Sequence, residues 1–173
     1  SLVGLPDTEV REARDRVRAA IQTSQFDFPA RRITVNLAPA DLPKEGGRFD
    51  LPIALGILAA SDQLKTEALD HAEFAGELSL NGQLQPVRGA LAMALQARDA
   101  GRTLILPAGS ADEAALVRDA RLFGADSLLA VVAHLNGHGA LAAPRVPAHV
   151  LLPAAMPDLA DVKGQHQARR ALE

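Results

Sequence analysis

The run "LPIALGILAA", residues 51–60, constrains this chain more than any other stretch. It holds no charged side chain and no side-chain hydrogen-bonding group. Wound as a helix, it is apolar nearly all round, and such a helix must be deeply buried. The domain therefore has to be built around it. Pro52 falls in the first turn, where a helix tolerates proline, and Asp50 is placed to cap that end. The surrounding core must be aliphatic, because the 173 residues include no Trp, no Tyr and only five Phe. That length suffices for one domain with a sizeable core.

The same composition excludes several functions. Readers of nucleic acid that stack bases on aromatic rings are disfavoured. With no cysteine, disulfides, thiolate catalysis and Cys-ligated zinc are out. A net charge of -3 gives no global pull toward nucleic acid or acidic membranes, although a local basic patch stays open. No apolar run reaches the ~18 residues of a spanning helix, so no membrane partner is expected. A cytoplasmic location is the plain reading. The start "SLVGLPD" lacks a secretory signal and reads as a cut edge.

The remaining elements follow from pattern. "SLVGL" is a short strand ended by Pro6 and Asp7. Val10, Ala13, Val17, Ala20 and Ile21 fall at helical spacing, with charges over the rest of that helix. Glu12 and Arg16 stand four apart in the favourable order. Arg11, Arg14 and Arg18 share a face, read either as a solvated surface or as a stripe that contacts DNA phosphates, together with Arg31 and Arg32. "RRITVNLAP" alternates as a half-buried strand. "FAGELSLNGQLQPV" reads as a hairpin turning on Asn81-Gly82, both at positive φ. A helix over 89–100, a buried strand "RTLILP", a helix opened by a Ser110–Glu113 capping box, a strand "RLFGA" and a helix closed by Gly137 complete the order. Alternating strands and helices plus a hairpin predict an α/β (α+β) domain with a mixed sheet. Residues 143–157 read as a proline-rich linker, and 158–173 as a new helical segment cut in mid-pattern.

Two places offer candidate sites, the segment "PKEGGRFD" and the histidines. A phosphate loop needs Gly-Lys-Ser/Thr, whereas Lys44 precedes Gly46-Gly47 and no hydroxyl residue follows them directly. His134 and His138 have ligand-like spacing but no third ligand beside them, so no metal site is expected. The loop itself reads as a turn feeding the buried helix. Its second reading is a vestigial ligand or partner groove lined by Lys44, Glu45, Arg48 and Asp50.

"PKEGGRFDLPIALGILAAS" and "GELSLNGQLQPVRGALAMALQARDAGRTLILP" resemble, in layout, two successive segments of Lon-type proteases. In those, a Ser nucleophile and a Lys form a dyad. Arg48 stands about where the Ser would be and Leu91 about where the Lys would be, so the resemblance carries the frame without the proton-transferring pair. A closer resemblance covers nearly the whole chain, through "VGLPDTEVREARDRVRAAI", "RRITVNLAPADLPKEGGRFDLPIALGILAAS", "GELSLNGQLQPVRGALAMALQARDAG" and "VVAHLNG". These are similar to the magnesium-chelatase-like AAA+ family of the ComM and YifB type. "DLADVKGQHQARRALE" looks like the opening of that family's ATPase module.

The resemblance implies a Lon-protease-like fold, the superfold named after domain 2 of ribosomal protein S-five, over residues 1–142. It implies a first strand ahead of Ser1. It implies a homo-hexameric ATPase when the protein is full length, using ATP and Mg, with DNA branch migration in natural transformation as its activity. No Walker A, Walker B or arginine finger is found in this stretch, so it is expected to be non-catalytic and without cofactor. Its expected partners are its own AAA+ domain and, as an option, DNA. A Lon-like peptidase and the ATPase subunit of a magnesium chelatase are the alternatives.

Overall fold

The computed structural model describes residues 2–3, 7–37, 47–67, 69–145, 163–165, 167 and 170–171, with side chains from Glu12 onward. Among the described residues the elements run in the order β1 (Leu2–Val3), α1 (Asp7–Thr23), β2 (Val35–Asn36), a 3-10 turn (Gly47–Phe49), α2 (Asp50–Ala60), β3 (Ala72–Phe74), β4 (Glu77–Leu78), β5 (Leu84–Gln85), α3 (Ala90–Asp99), β6 (Thr103–Pro107), α4 (Ala108–Ala114), β7 (Arg121–Ala125) and α5 (Leu128–Leu135). The α/β class expected from the sequence is the class observed. Parallel and antiparallel pairings both occur, but among the described residues they form three separate ladders. These are a parallel β1–β2 pair, a parallel β3–β6–β7 sheet and an antiparallel β4–β5 pair.

β6 is the central strand, and its sequence explains why. Leu104, Ile105 and Leu106 are all buried, as a parallel strand covered on both faces requires. Alternation sends Leu104 and Leu106 to one face and Ile105 to the other. The first face packs on α3 and α4 through Ala90, Ala94, Ala97, Ala111 and Ala114, whose small side chains let the helices approach closely. The second face joins the main core around α1, α2 and α5, with Ile21, Leu51, Leu55, Leu58, Leu128 and Val131 fully enclosed. Seven of the eleven residues of α2 are buried, as its all-round apolarity demands.

Three local expectations are corrected. Asp50 does not cap α2: the helix is preceded by the 3-10 turn, Phe49 takes the cap position, and no side-chain cap bond is made there. The Asp50 carboxylate is drawn elsewhere by a stronger partner, described below. Ser110 does not open α4, which begins two residues earlier at Ala108. Its buried hydroxyl instead donates to the Val87 carbonyl (3.1 Å) and accepts from the Val87 N–H (2.9 Å), tying α4 to the segment that follows β5. The hairpin also turns differently. Gly82 has φ +80° but Asn81 stays at negative φ, so the turn is a longer loop closed by one left-handed residue. Ser79 N–H to Gln83 C=O and Gly82 N–H to Ser79 C=O close it. Gly82 is required twice over, because a Cβ there would also meet Ser24 Oγ at 2.5 Å.

The proline-rich linker expected over 143–157 and the segment over 158–173 lie mostly outside the described residues.

Candidate functional site

Two features gather polar groups. The first is the turn that enters α2. Arg16, on α1, reaches across to Asp50 with Nε to Oδ2 at 2.7 Å and Nη2 to Oδ1 at 3.3 Å, a two-pronged contact. The Leu78 N–H donates to the same Oδ2 at 3.2 Å. The Asp50 side chain is 1% exposed and that of Arg16 is 24% exposed. Arg16 also meets Glu12 at 3.7 Å, the helical pair the spacing predicts. Burial pushes the Asp50 carboxyl above its ordinary range, against the opposing pull of Arg16 and of the Leu78 N–H. The hydrogen bond to Asp50 holds the Arg16 guanidinium above its ordinary value.

Backbone bonds complete the turn. Gly76 N–H donates to the Arg48 carbonyl (2.9 Å), and Leu51 N–H donates to the Gly76 carbonyl (3.0 Å). Gly47 is buried against Glu77, into whose side chain a Cβ at 47 would run. α1, α2 and β4 are therefore fastened at one point by one carboxylate. Arg48 is half-buried, and its Cζ lies 5.2 Å from the Phe49 ring centroid. Its Nε is buried and has no hydrogen-bond partner among the described residues. Of the groove residues expected from the sequence, Arg48 and Asp50 share this turn, while Lys44 and Glu45 lie outside the described residues. Asp50 is spent on the fold, so it does not line a groove open to a ligand.

Arg16 is the residue that sequence reasoning passed over, grouped with the solvated charges of α1. A signal existed: it stands three after Ala13 and four before Ala20, at the border of the buried face.

The second feature is an open cleft of ≈ 550 Å³ between the α1–β2 connection and the C-terminal end of α2. Pro29, Ile33, Ile57 and Ala60 give it an apolar lining, and Asp27, Arg31, Arg32 and Asp62 line it as well. The two walls are stapled together. Gln63 Nε2 donates to the Asp27 carbonyl and Gln63 Oε1 accepts from the Asp27 N–H, both at 2.8 Å. Arg31 and Arg32 are exposed. Neither takes part in any of the ion pairs among the described residues.

The arginines expected to form one stripe are not equivalent. Arg14 is exposed and pairs with Asp15 at 3.2 Å. Arg18 is exposed, with its guanidinium carbon 5.4 Å from the ring centroid of Phe28, in the same connection that carries Arg31 and Arg32. The Arg11 side chain lies outside the described ones. Leu91, at the start of α3, is 39% exposed, and its N–H donates to Glu113. No cluster of three or more His, Asp or Glu with metal-binding geometry occurs among the described residues. No helix among them is long and apolar enough to cross a membrane.

The family model for subunit ChlI of Mg-chelatase matches residues 1–110. The chain belongs to this magnesium-chelatase-related family, in the branch of YifB and ComM. It is 50% identical over 173 residues to YifB of Escherichia coli, an uncharacterized protein, covering 100% of this chain and 34% of YifB. It is 50% identical over 179 residues to competence protein ComM of Haemophilus influenzae, covering 99% of this chain and 35% of ComM. An uncharacterized protein of Mycobacterium tuberculosis is 41% identical over 173 residues, covering 99% of this chain and 34% of its own length. The chain thus spans about a third of the length of the curated relatives it matches.

Proposed function

We propose that this chain is the non-catalytic, Lon-protease-like N-terminal domain of a magnesium-chelatase-like AAA+ ATPase whose full-length form is a hexameric DNA branch-migration helicase. In this reading residues 1–142 are the domain, 143–157 a linker and 158–173 the start of the motor. The whole protein works in the cytoplasm with ATP and Mg. The observation that carries the reading is the likeness to competence protein ComM along 99% of this chain. The absence of a Ser-Lys dyad supports a non-catalytic role: Arg48 stands on the turn before α2 and Leu91 at the start of α3. A hydroxyl and an amine at those places are what peptide-bond attack needs.

The domain's own contribution is to pack against the motor and support assembly. Exposed Arg14 and Arg18 on α1, with Arg11 on the same helix, offer phosphate contacts to DNA. The test is branch migration by the full-length protein on a three-stranded junction, with ATP and Mg. Strand exchange that needs ATP is the expected result. Failure on every junction, with magnesium insertion into a porphyrin instead, would move the protein to the chelatase reading favoured by the name of the matched family. Cleavage of a fluorogenic peptide would revive the peptidase reading.

A further inference from the structure

We infer that the cleft between the α1–β2 connection and the end of α2 is a peptide-binding site. It takes an extended segment in which an acidic residue adjoins aliphatic ones. This goes beyond the helicase reading and does not depend on it.

Four observations carry the assignment. The volume, ≈ 550 Å³, is that of a ligand site rather than a packing defect. The site is preformed. Gln63 clamps both backbone groups of Asp27, and its Nε2 also donates to Ser61 Oγ at 2.8 Å, so the walls need no ordering when a ligand arrives. Asp62 holds a left-handed backbone (φ 60°) at the rim, a conformation that costs energy for a non-glycine residue and is held there by the fold. The lining presents Arg31 and Arg32 without ion-pair partners among the described residues, and unpaired guanidiniums at a cleft are suited to two-pronged recognition of a carboxylate.

The lining also decides between a peptide and a nucleic acid. Asp27 and Asp62 line the cleft as well without pairing with the arginines, so a polyphosphate meets like charge that a single carboxylate on the arginines can avoid. Among the described residues no aromatic side chain lines the cleft, so none of them offers a base a ring to stack on. Ile57, Ala60 and Pro29 instead reward aliphatic side chains. A peptide brings both an aliphatic side chain and a carboxylate, and its backbone N–H groups can serve the two aspartates. Arg31 and Arg32 are thereby separated from the α1 arginines and given a different ligand.

The test uses the intact 173-residue chain. A fluorescein-labelled hexapeptide library, with Asp or Glu fixed at the third position and Leu, Ile or Val elsewhere, is titrated by fluorescence anisotropy. The amide library (Asn or Gln at that position) and a labelled ten-nucleotide poly-dT strand are titrated in parallel. The expected result is saturable binding of the acidic library, with the amide library weaker by roughly tenfold or more. The double substitution Arg31→Ala/Arg32→Ala should weaken the acidic library by a similar factor. Ala60→Trp, at an exposed helix-end position, should fill the cleft and abolish binding while the melting temperature is kept. The inference is overturned if the acidic library does not bind, if binding survives both variants, or if only poly-dT binds. A poly-dT interaction lost on Arg14→Ala/Arg18→Ala would support the DNA reading alone, so the two proposals fail separately.

Discussion

Arg16 Nε lies 2.7 Å from Asp50 Oδ2, joining the first helix of the domain to the first residue of its most buried one. Asp50 is 1% exposed, and an unpaired carboxylate buried to that degree would be costly. The pair lets the chain enter α2 by way of a charged residue without leaving that charge unmet.

Removing the arginine therefore costs more than a surface ion pair would. Arg16→Ala leaves Asp50 with the Leu78 N–H as its one remaining partner among the described residues. We expect a loss of about 2–4 kcal/mol in urea unfolding, the low part of the range for buried pairs, because Arg16 keeps some solvent contact. Arg16→Lys should fall between, since an ammonium cannot reproduce the two-pronged contact. A loss below about 0.5 kcal/mol for Arg16→Ala would place the pair among ordinary surface contacts.

The pH dependence has a definite sign. Burial raises the Asp50 carboxyl above its ordinary value of 3.8, so the folded state holds this proton more tightly than the unfolded chain does. The folded state binds more protons in that window, and stability falls as pH rises through it. The advantage of the wild-type chain over Asp50→Asn should be largest below the ordinary value and shrink as pH rises through the raised one. Urea midpoints of both proteins between acid and neutral pH measure this. An advantage that grows with pH would mean that Arg16 outweighs the burial.

Two glycines should respond in opposite ways. Gly56 lies mid-helix in α2 with nothing within 4 Å of an added Cβ among the described residues. Gly56→Ala should stabilise the domain by about 0.5–1 kcal/mol through lost unfolded-state freedom. Gly47→Ala drives a methyl into the Glu77 side chain and should destabilise by about 1–3 kcal/mol. Melting temperatures of the two variants separate these outcomes.

Ser110 offers a fourth check. Its hydroxyl serves both backbone groups of Val87, so Ser110→Ala leaves the Val87 N–H and carbonyl without that partner. A cost of about 1–2 kcal/mol is expected. Faster amide exchange at Val87 should accompany it. If Ser110 were only a surface residue of α4, neither would change.

The elements legible in the sequence are those whose pattern is local. Residues 51–60 read as a buried helix because they carry no polar side chain, and only the small Gly56 and Ala60 are exposed. "RTLILP" could only be an interior strand, and "RLFGA" and the helix closed by Gly137 fall where their patterns place them. The likeness to ComM and YifB along this chain is legible in the same way, as ordered stretches of residues. What the tertiary structure alone decided concerns partners distant along the chain. Asp50 looked like a cap because a cap is the nearest use for a carboxylate before a helix, yet Arg16, 34 residues away, offers a charged and better-placed donor. Ser110 looked like a cap for the same reason and is taken by Val87, 23 residues away. The cleft had no signature at all: Asp27, Arg31 and Gln63 become neighbours only when the α1–β2 connection folds back over the end of α2. Short-range periodicity sets which segments form helices and strands, while the pairing of their polar groups depends on distances that only packing creates.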